Sequence, residues 1–346
     1  MPRDLPVGNG RLLVNFDAQY EIRDLYFPHV GKENHTSGYA CRFGVWIDGA
    51  FAWVSGEGWS RKLRYVEDSL VTDVRCTHEG FGVELVCNDL VDFYENIYLR
   101  RIAVRNLTDR QRDARLYFHH DFRISESEIG DTALYDPATH AIIHYKGERY
   151  FLASVVSGSR QGPDQFATGR KGGGSEGTWR DAEDGNLQGN PIVQGAVDSA
   201  FGVFVPLEPG ETKTLYYWIA VGRDYGEVST LNRIVTGKRP ETIHKRTEDY
   251  WRAWIGKNEM NFGSLPAHIV SLYRRSLLVI RTQINQNGAI IAANDSDITT
   301  LSRDTYSYMW PRDGALVAYS LDIGGYSELT RRFFYFLKDL IHRGGY

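Results

Sequence analysis

At Gly222 the spacing of apolar residues changes from two to between three and four, which divides the chain into a part made of strands and a part made of helices. Before it, residues 12–16, 41–47, 70–76, 81–90, 98–104, 114–122, 141–145, 150–156, 200–205 and 213–221 are short β-branched or aromatic runs. Gly, Asn or Asp separates them, with Glu79-Gly80 and Thr108-Asp109 as turn sites. In one run Ile102 and Val104 share a face while Arg101, Ala103 and Arg105 take the other, as in a half-buried strand. So many half-apolar strands exceed one small sheet, and two packed antiparallel sheets would let them share a core. The expected fold class is therefore multidomain, β then α, beginning with a large antiparallel β-sandwich.

After Gly222, Ile243, Thr247, Tyr250, Trp251 and Trp254 fall on one helical stripe, with Pro240 suited to a first turn. Glu241 and Glu248 precede Lys245 and Arg252 by four residues, a supportive spacing. Ser264 is the expected N-cap of a further helix with Ile269, Val270, Tyr273, Leu277, Ile280 and Ile284 on one face, ended by Asn285 to Gly288. Residues 315–323 are apolar nearly all round, and Ser327 opens a helix carrying Leu329, Phe333, Phe336, Leu337 and Leu340. The domains expected are 1–230 (β), 231–263 (a linker with a helix) and 264–346 (helical). A helix apolar on all sides needs neighbours. The helical part is thus expected to be the start of a larger domain, unless the β part or a partner chain covers it.

The 40 basic and 44 acidic residues give a formal net charge of −4 with no basic block, which argues against nucleic-acid or membrane-surface partners. Residues 1–6 lack a signal-peptide core and no run approaches membrane-spanning length, so a cytoplasmic location is expected. Cys41, Cys76 and Cys87 are too few and wrongly spaced for zinc or a disulfide framework, and buried thiols are expected. Sequons at Asn34, Asn106 and Asn294 carry no weight without a secretion signal. Residues 169–185, rich in glycine and charge, lack the Gly-Lys-Ser/Thr ending of a phosphate loop and read as a solvated loop with room to cover a neighbouring domain.

The stretch 306–314, Tyr-Ser-Tyr-Met-Trp-Pro-Arg-Asp-Gly, sets three large aromatics and an adjacent Arg/Asp pair before a buried helix. An aromatic plane beside a guanidinium and a carboxylate can grip a sugar by its face and its hydroxyls. The structural alternative makes Asp313 a helix cap and Trp310 a core plug. Aromatic residues at 13%, with eight Trp, suit carbohydrate handling without demanding it.

A large β-sandwich, a linker helix and then helices interrupted by this stretch resemble the bacterial and archaeal branch of glycoside hydrolase family 15, which includes glucoamylases, glucodextranases and some trehalases. Asn9-Gly-Arg-Leu-Leu-Val-Asn-Phe-Asp, Gly177-Thr-Trp-Arg-Asp-Ala-Glu-Asp-Gly and Asp313-Gly-Ala-Leu share in the resemblance, which spans essentially the whole chain. It implies a super-β-sandwich followed by an (α/α)6 barrel, here incomplete, whose funnel holds one terminal glucose. Carried over, Tyr306 and Trp310 would wall the ring while Arg312 and Asp313 hydrogen-bond hydroxyls of an α-glucoside oligosaccharide. The family reaction inverts the anomeric carbon with two glutamates, and such carboxyls stand about 6.5–9.5 Å apart to admit a water.

Those glutamates would lie beyond residue 346, since Glu328 is the only glutamate after Ser264 and sits in an ordinary first turn. No catalytic residue is therefore expected within this chain, and the chain alone is expected to be inactive. Asp313 beside Arg312 suits a hydroxyl ligand better than a proton donor. No cofactor is implied. His119-His120-Asp121 lies on a strand that alternates faces, and Asp295 and Asp297 lack the rest of a calcium loop, so no metal ligand is assigned. Ser302-Arg-Asp-Thr is read as a turn within reach of substrate. Two other readings stay open: a non-catalytic carbohydrate-binding β-sandwich, and a related disaccharide phosphorylase. Self-association through the β part also stays open.

Overall fold

In the computed structural model, which describes residues 5–172, 175–258, 260–293 and 306–344, strand Thr212–Gly222 lies between Arg149–Ser157 and Ile97–Asn106 at the middle of a ten-stranded antiparallel sheet. Leu215, Tyr217, Ile219 and Val221 enter one core, while Tyr216, Trp218 and Ala220 enter another. The alternation survives, but both faces are apolar because both are covered. The first core is shared with a six-stranded sheet that contributes Phe43, Val45, Leu116, Phe118, Phe201 and Val203. A four-stranded meander, Leu5–Gly8, Leu13–Phe16, Ile22–His29 and Lys32–Asn34, adds Val7, Val14, Phe16 and Leu25 to the same core.

Strand Ile97–Asn106 is half-buried only toward its end: Ile97 and Leu99 join the second core, which the period of two alone could not show. All three cysteines are buried and free, and burial pushes the Cys41 and Cys76 thiols up to about 12. The amides of Asn34 and Asn106 are buried in hydrogen bonds to Asp24 and to the carbonyls of Arg110 and Glu208, where no glycan could be attached.

The segment 169–185 differs from the expected solvated loop. Its start belongs to strand Gln165–Gly172, which hairpins onto Ser175–Glu176, and Gly177 to Gly185 folds over the outer face of its own sheet. There Thr178 N–H donates to Asp198 (2.7 Å), and the Gly185 carbonyl accepts from Arg115 (2.8 Å) and Tyr117 (2.5 Å).

Five α-helices occur among the described residues. Helix α1 (Tyr225–Lys238), capped by Asp224, lays Val228, Leu231 and Val235 on the ten-stranded sheet, and it crosses the expected boundary at residue 230. Helix α2 (Pro240–Gly256) buries Ile243, Thr247, Trp251 and Ile255. Glu248 pairs with Arg252 as the spacing suggests, but Lys245 reaches forward to Asp249 instead of back to Glu241. Helix α3 (Ala267–Thr282) starts at Pro266 with no side-chain cap, so Ser264 lies outside it.

Helix α4 (Pro311–Ile323) and helix α5 (Ser327–Gly344) complete the set. Trp251, Leu277, Leu278, Ala318, Leu321 and Phe333 form a helical core that also takes Leu70 from the β part. The outer faces stay open: Leu272, Leu316, Tyr319, Ile323, Phe334 and Tyr335 are each more than half exposed. No described helix is long and apolar enough to cross a membrane.

Polar contacts tie the two parts together. Two donors of Arg246 on α2 converge on one oxygen of the fully buried Asp92, at 2.9 and 2.6 Å. Arg275 on α3 donates to the carbonyls of Ser69 (2.5 Å) and Val66 (2.8 Å). The turn after α3 takes a bond from Val30 N–H to Asn285 (3.3 Å) and gives one from Gln286 N–H to Gly10 O (2.9 Å).

Candidate substrate-binding site

Residues 306–308 form a turn and bend that lead, through Trp310 in extended conformation, into the first turn of α4, and burial alternates from Tyr306 to Tyr308. Ser307 is buried against the β part, while Tyr306, Tyr308 and Trp310 are about half exposed (50, 57 and 46%). The strip is held from both sides. Its Tyr306 and Tyr308 carbonyls accept from the Ala293 and Ala292 N–H groups, both at 3.0 Å. On the β side Ser307 hydrogen-bonds Tyr26, whose phenol is pushed up chiefly by burial and pulled back partly by that bond.

Two glycines make this approach feasible. Gly31 has φ +80°, and a β-carbon there would strike the Ser307 carbonyl and stand 2.9 Å from Ile291. Gly314 receives the Phe333 ring of α5, and a β-carbon would stand 2.6 Å from it. The aromatic strip is thereby wedged between a β-part turn and the helical core.

The four expected site residues fall into two contacting pairs at and before the start of α4. The Tyr306 and Trp310 rings are 6.5 Å apart and tilted by 43°, an open V rather than a stack. Arg312 Nη2 lies 3.3 Å from Asp313 Oδ2, and the arginine side chain is 83% exposed. Within this chain neither residue takes the structural role the alternative gave it. Trp310 itself is the N-cap residue with no side-chain cap, Asp313 stands two positions inside the helix from Pro311, and Trp310 is too exposed to plug a core. What remains is a solvent-facing set of flat faces, donors and acceptors that can hold a polyhydroxylated ring.

Other candidates resolve into structural roles or fall outside the described residues. Glu328 pairs with Arg332 at 2.6 Å in the first turn of α5. His119 bonds Asp198 (3.0 Å), whereas His120 turns the other way to Tyr217 (2.8 Å) and Ser199 (3.2 Å). His144 also reaches Ser199 (2.7 Å), and burial holds His120 down to about 3 and His144 well below the ordinary histidine range. Asp121 pairs with Lys171. Asn294, Asp295, Asp297 and the turn at Ser302 lie outside the described residues.

Sequence reasoning missed a buried polar knot. Asp89 accepts from Tyr20 (2.5 Å), Tyr98 (2.5 Å), Thr72 (2.8 Å) and Arg100 (2.6 Å), and the Arg100 guanidinium lies over the Tyr20 and Phe43 rings. The signal was available: Asp89 sits in phase with Leu85, Cys87 and Val91, a charge on an otherwise apolar face.

No protein-family model matches the chain. An uncharacterized glycosyl hydrolase of Methanocaldococcus jannaschii is 26% identical over 345 residues, covering 98% of this chain and 53% of that protein. A bacterial glucoamylase solved in complex with acarbose superimposes with a TM-score of 0.73 at 14% identity, over 97% of this chain and 49% of its own. The chain has a glucoamylase-like fold and a glycosyl hydrolase relative. A candidate kojibiose phosphorylase from the human microbiome follows at 0.54 and 10% identity, over 83% of this chain and 40% of its own. The chain spans about half the length of the curated relative and of the glucoamylase.

Proposed function

We propose that this chain is the N-terminal portion of an inverting, exo-acting α-glucoside hydrolase that releases glucose from the non-reducing end of α-glucans, oligosaccharides or trehalose. Tyr306 and Trp310 wall the terminal ring, and Arg312 and Asp313 hydrogen-bond its hydroxyls. The observation that carries this reading is the open V of Tyr306 and Trp310 beside the Arg312–Asp313 pair, exposed at one helix end and braced from both sides.

In this reading residues 1–230 are a super-β-sandwich, 231–263 a linker and 264–346 the first helices of an (α/α)6 barrel. The exposed apolar residues of α3, α4 and α5 are where further helices would pack. The acid and base glutamates belong to those further helices, so residues 1–346 alone bind without cleaving. The curated relative and the glucoamylase are each about twice as long as this chain, which leaves room for such further helices.

The test is hydrolysis by the full-length protein of maltooligosaccharides, dextran-type oligosaccharides and trehalose, with the anomer of the released glucose followed by NMR. Release of β-glucose from the maltooligosaccharides or dextran-type oligosaccharides, or of β- and α-glucose in equal amounts from trehalose, whose leaving ring is itself α-glucose, supports inversion; α-glucose alone, or no release from any of the three, sinks it. The structural likeness to a candidate phosphorylase favours a second reading, in which turnover needs phosphate. Running the same panel with and without inorganic phosphate separates the two.

A further inference from the structure

A cleft of about 460 Å³ opens where the β part, the start of α1 and the turn after α3 meet, and none of Tyr306, Trp310, Arg312 or Asp313 lines it. Its size falls in the range of small-ligand sites, about 300–1,000 Å³. Asn96 lines it, is only 7% exposed, and its side-chain oxygen is buried with no hydrogen-bond partner among the described residues. An oxygen so enclosed has no room for a water as it stands, and a turn of the amide that brings it to the cleft, which Asn96 lines, would let a ligand hydroxyl donate to it.

The surrounding groups say which ligand. Arg11, held through Nε by Gln286 at 2.5 Å, lines one wall. Arg223 lines another, and its guanidinium has no ion-pair or hydrogen-bond partner among the described residues. Glu227 shares that wall, with one oxygen on the Arg223 N–H at 2.8 Å. A carboxylate there disfavours a phosphate or sulfate, whereas a sugar hydroxyl can donate to Asn96 or Glu227 and accept from either arginine.

We propose that this cleft is a second saccharide site, holding one or two neutral sugar rings by hydroxyl contacts to Asn96, Arg223 and Arg11. Its chemistry stands apart from the roles proposed for Tyr306 to Asp313, but the choice of an α-glucoside as probe rests on that reading.

Calorimetric titration of the protein with maltotriose, paired with amide hydrogen exchange, tests both sites together. Two binding events are expected, one protecting residues near His29 and 285–287. Arg223→Ala should weaken that event at least tenfold and leave the other, while Arg312→Ala should do the reverse. Asn96→Ala should act like Arg223→Ala, and if it fails to fold, Arg223→Ala, an exposed change, still decides. Unchanged binding in Arg223→Ala overturns the cleft site and leaves the Trp310 site standing. Loss in Arg223→Ala but not in Arg312→Ala keeps the cleft and removes the other. Protection of the cleft by sodium sulfate but not by maltotriose overturns the saccharide assignment.

Discussion

The carbonyl oxygen of Ser307 fills the space in which a side chain on Gly31 would begin. A β-part turn at φ +80° thereby sets the height of the aromatic strip. Gly31→Ala should cost roughly 2–3 kcal/mol, combining left-handed strain with the clash. Gly38, at φ +83° with nothing within 4 Å of its would-be β-carbon, is the control; its alanine variant should cost only about 1–2 kcal/mol. Urea unfolding of both variants reads the difference. Equal losses would mean that the contact with Ser307 contributes nothing.

On the proposed function, Arg312→Ala and Asp313→Ala should each remove about 2–4 kcal/mol of transition-state binding from the full-length protein, as loss of a charge-assisted bond to a desolvated hydroxyl does. Neither side chain is buried and neither caps α4, so melting temperatures should stay within about 2 °C. Steady-state kinetics and thermal melts on the same preparations check this. A variant that unfolds early while its folded fraction keeps normal kinetics would return Asp313 to a structural role.

How much of this was legible in sequence depends on whether a residue's surroundings matched its type. The ten strands read from alternation are all present because their apolar positions face cores. Trp59–Tyr65 escaped notice since, after the buried Trp59, its side chains are exposed or half-buried, several of them charged, at a sheet edge. Helix α1 escaped because its core face includes Asn232, which bonds Trp218 Nε1 (3.0 Å) and the Thr139 carbonyl (3.2 Å) where an apolar residue would have completed the stripe. The aromatic strip was legible as a local oddity. The cleft was not, because Arg11, Asn96, Arg223 and Asn285 are distant in sequence and join only through the packing of the two parts.

The Asp89–Arg100 pair should behave as a buried ion pair whose halves need each other. Asp89→Leu strands Arg100, which is only 3% exposed, and should cost about 3–5 kcal/mol. Adding Arg100→Met should recover the part due to the stranded charge but not the part due to the Tyr20, Tyr98 and Thr72 hydroxyls, which still lack their acceptor. Chemical denaturation of the two variants decides. A double variant less stable than Asp89→Leu alone would show that Arg100 is held by its aromatic neighbours Tyr20 and Phe43 more than by Asp89.

Acid sensitivity follows from histidines buried in neutral form. Burial lowers His35 to about 4, His120 to about 3 and His144 well below the ordinary range. In the unfolded chain each takes up a proton near pH 6.5. Below that pH the unfolded state therefore binds more protons than the folded one, and stability falls as pH drops, until the folded-state values are passed. Each histidine contributes up to about 1.4 kcal/mol per pH unit in that window, so three give a slope of up to about 4. Asp17 and Asp131, raised by burial, act in the opposite sense, but only where carboxylates begin to titrate at lower pH. Urea midpoints at pH 7, 6 and 5 should fall steeply between the last two, and His120→Gln should flatten the slope by about one proton. Midpoints that stay level from pH 7 to 5 would mean that these imidazoles are not held neutral by the fold.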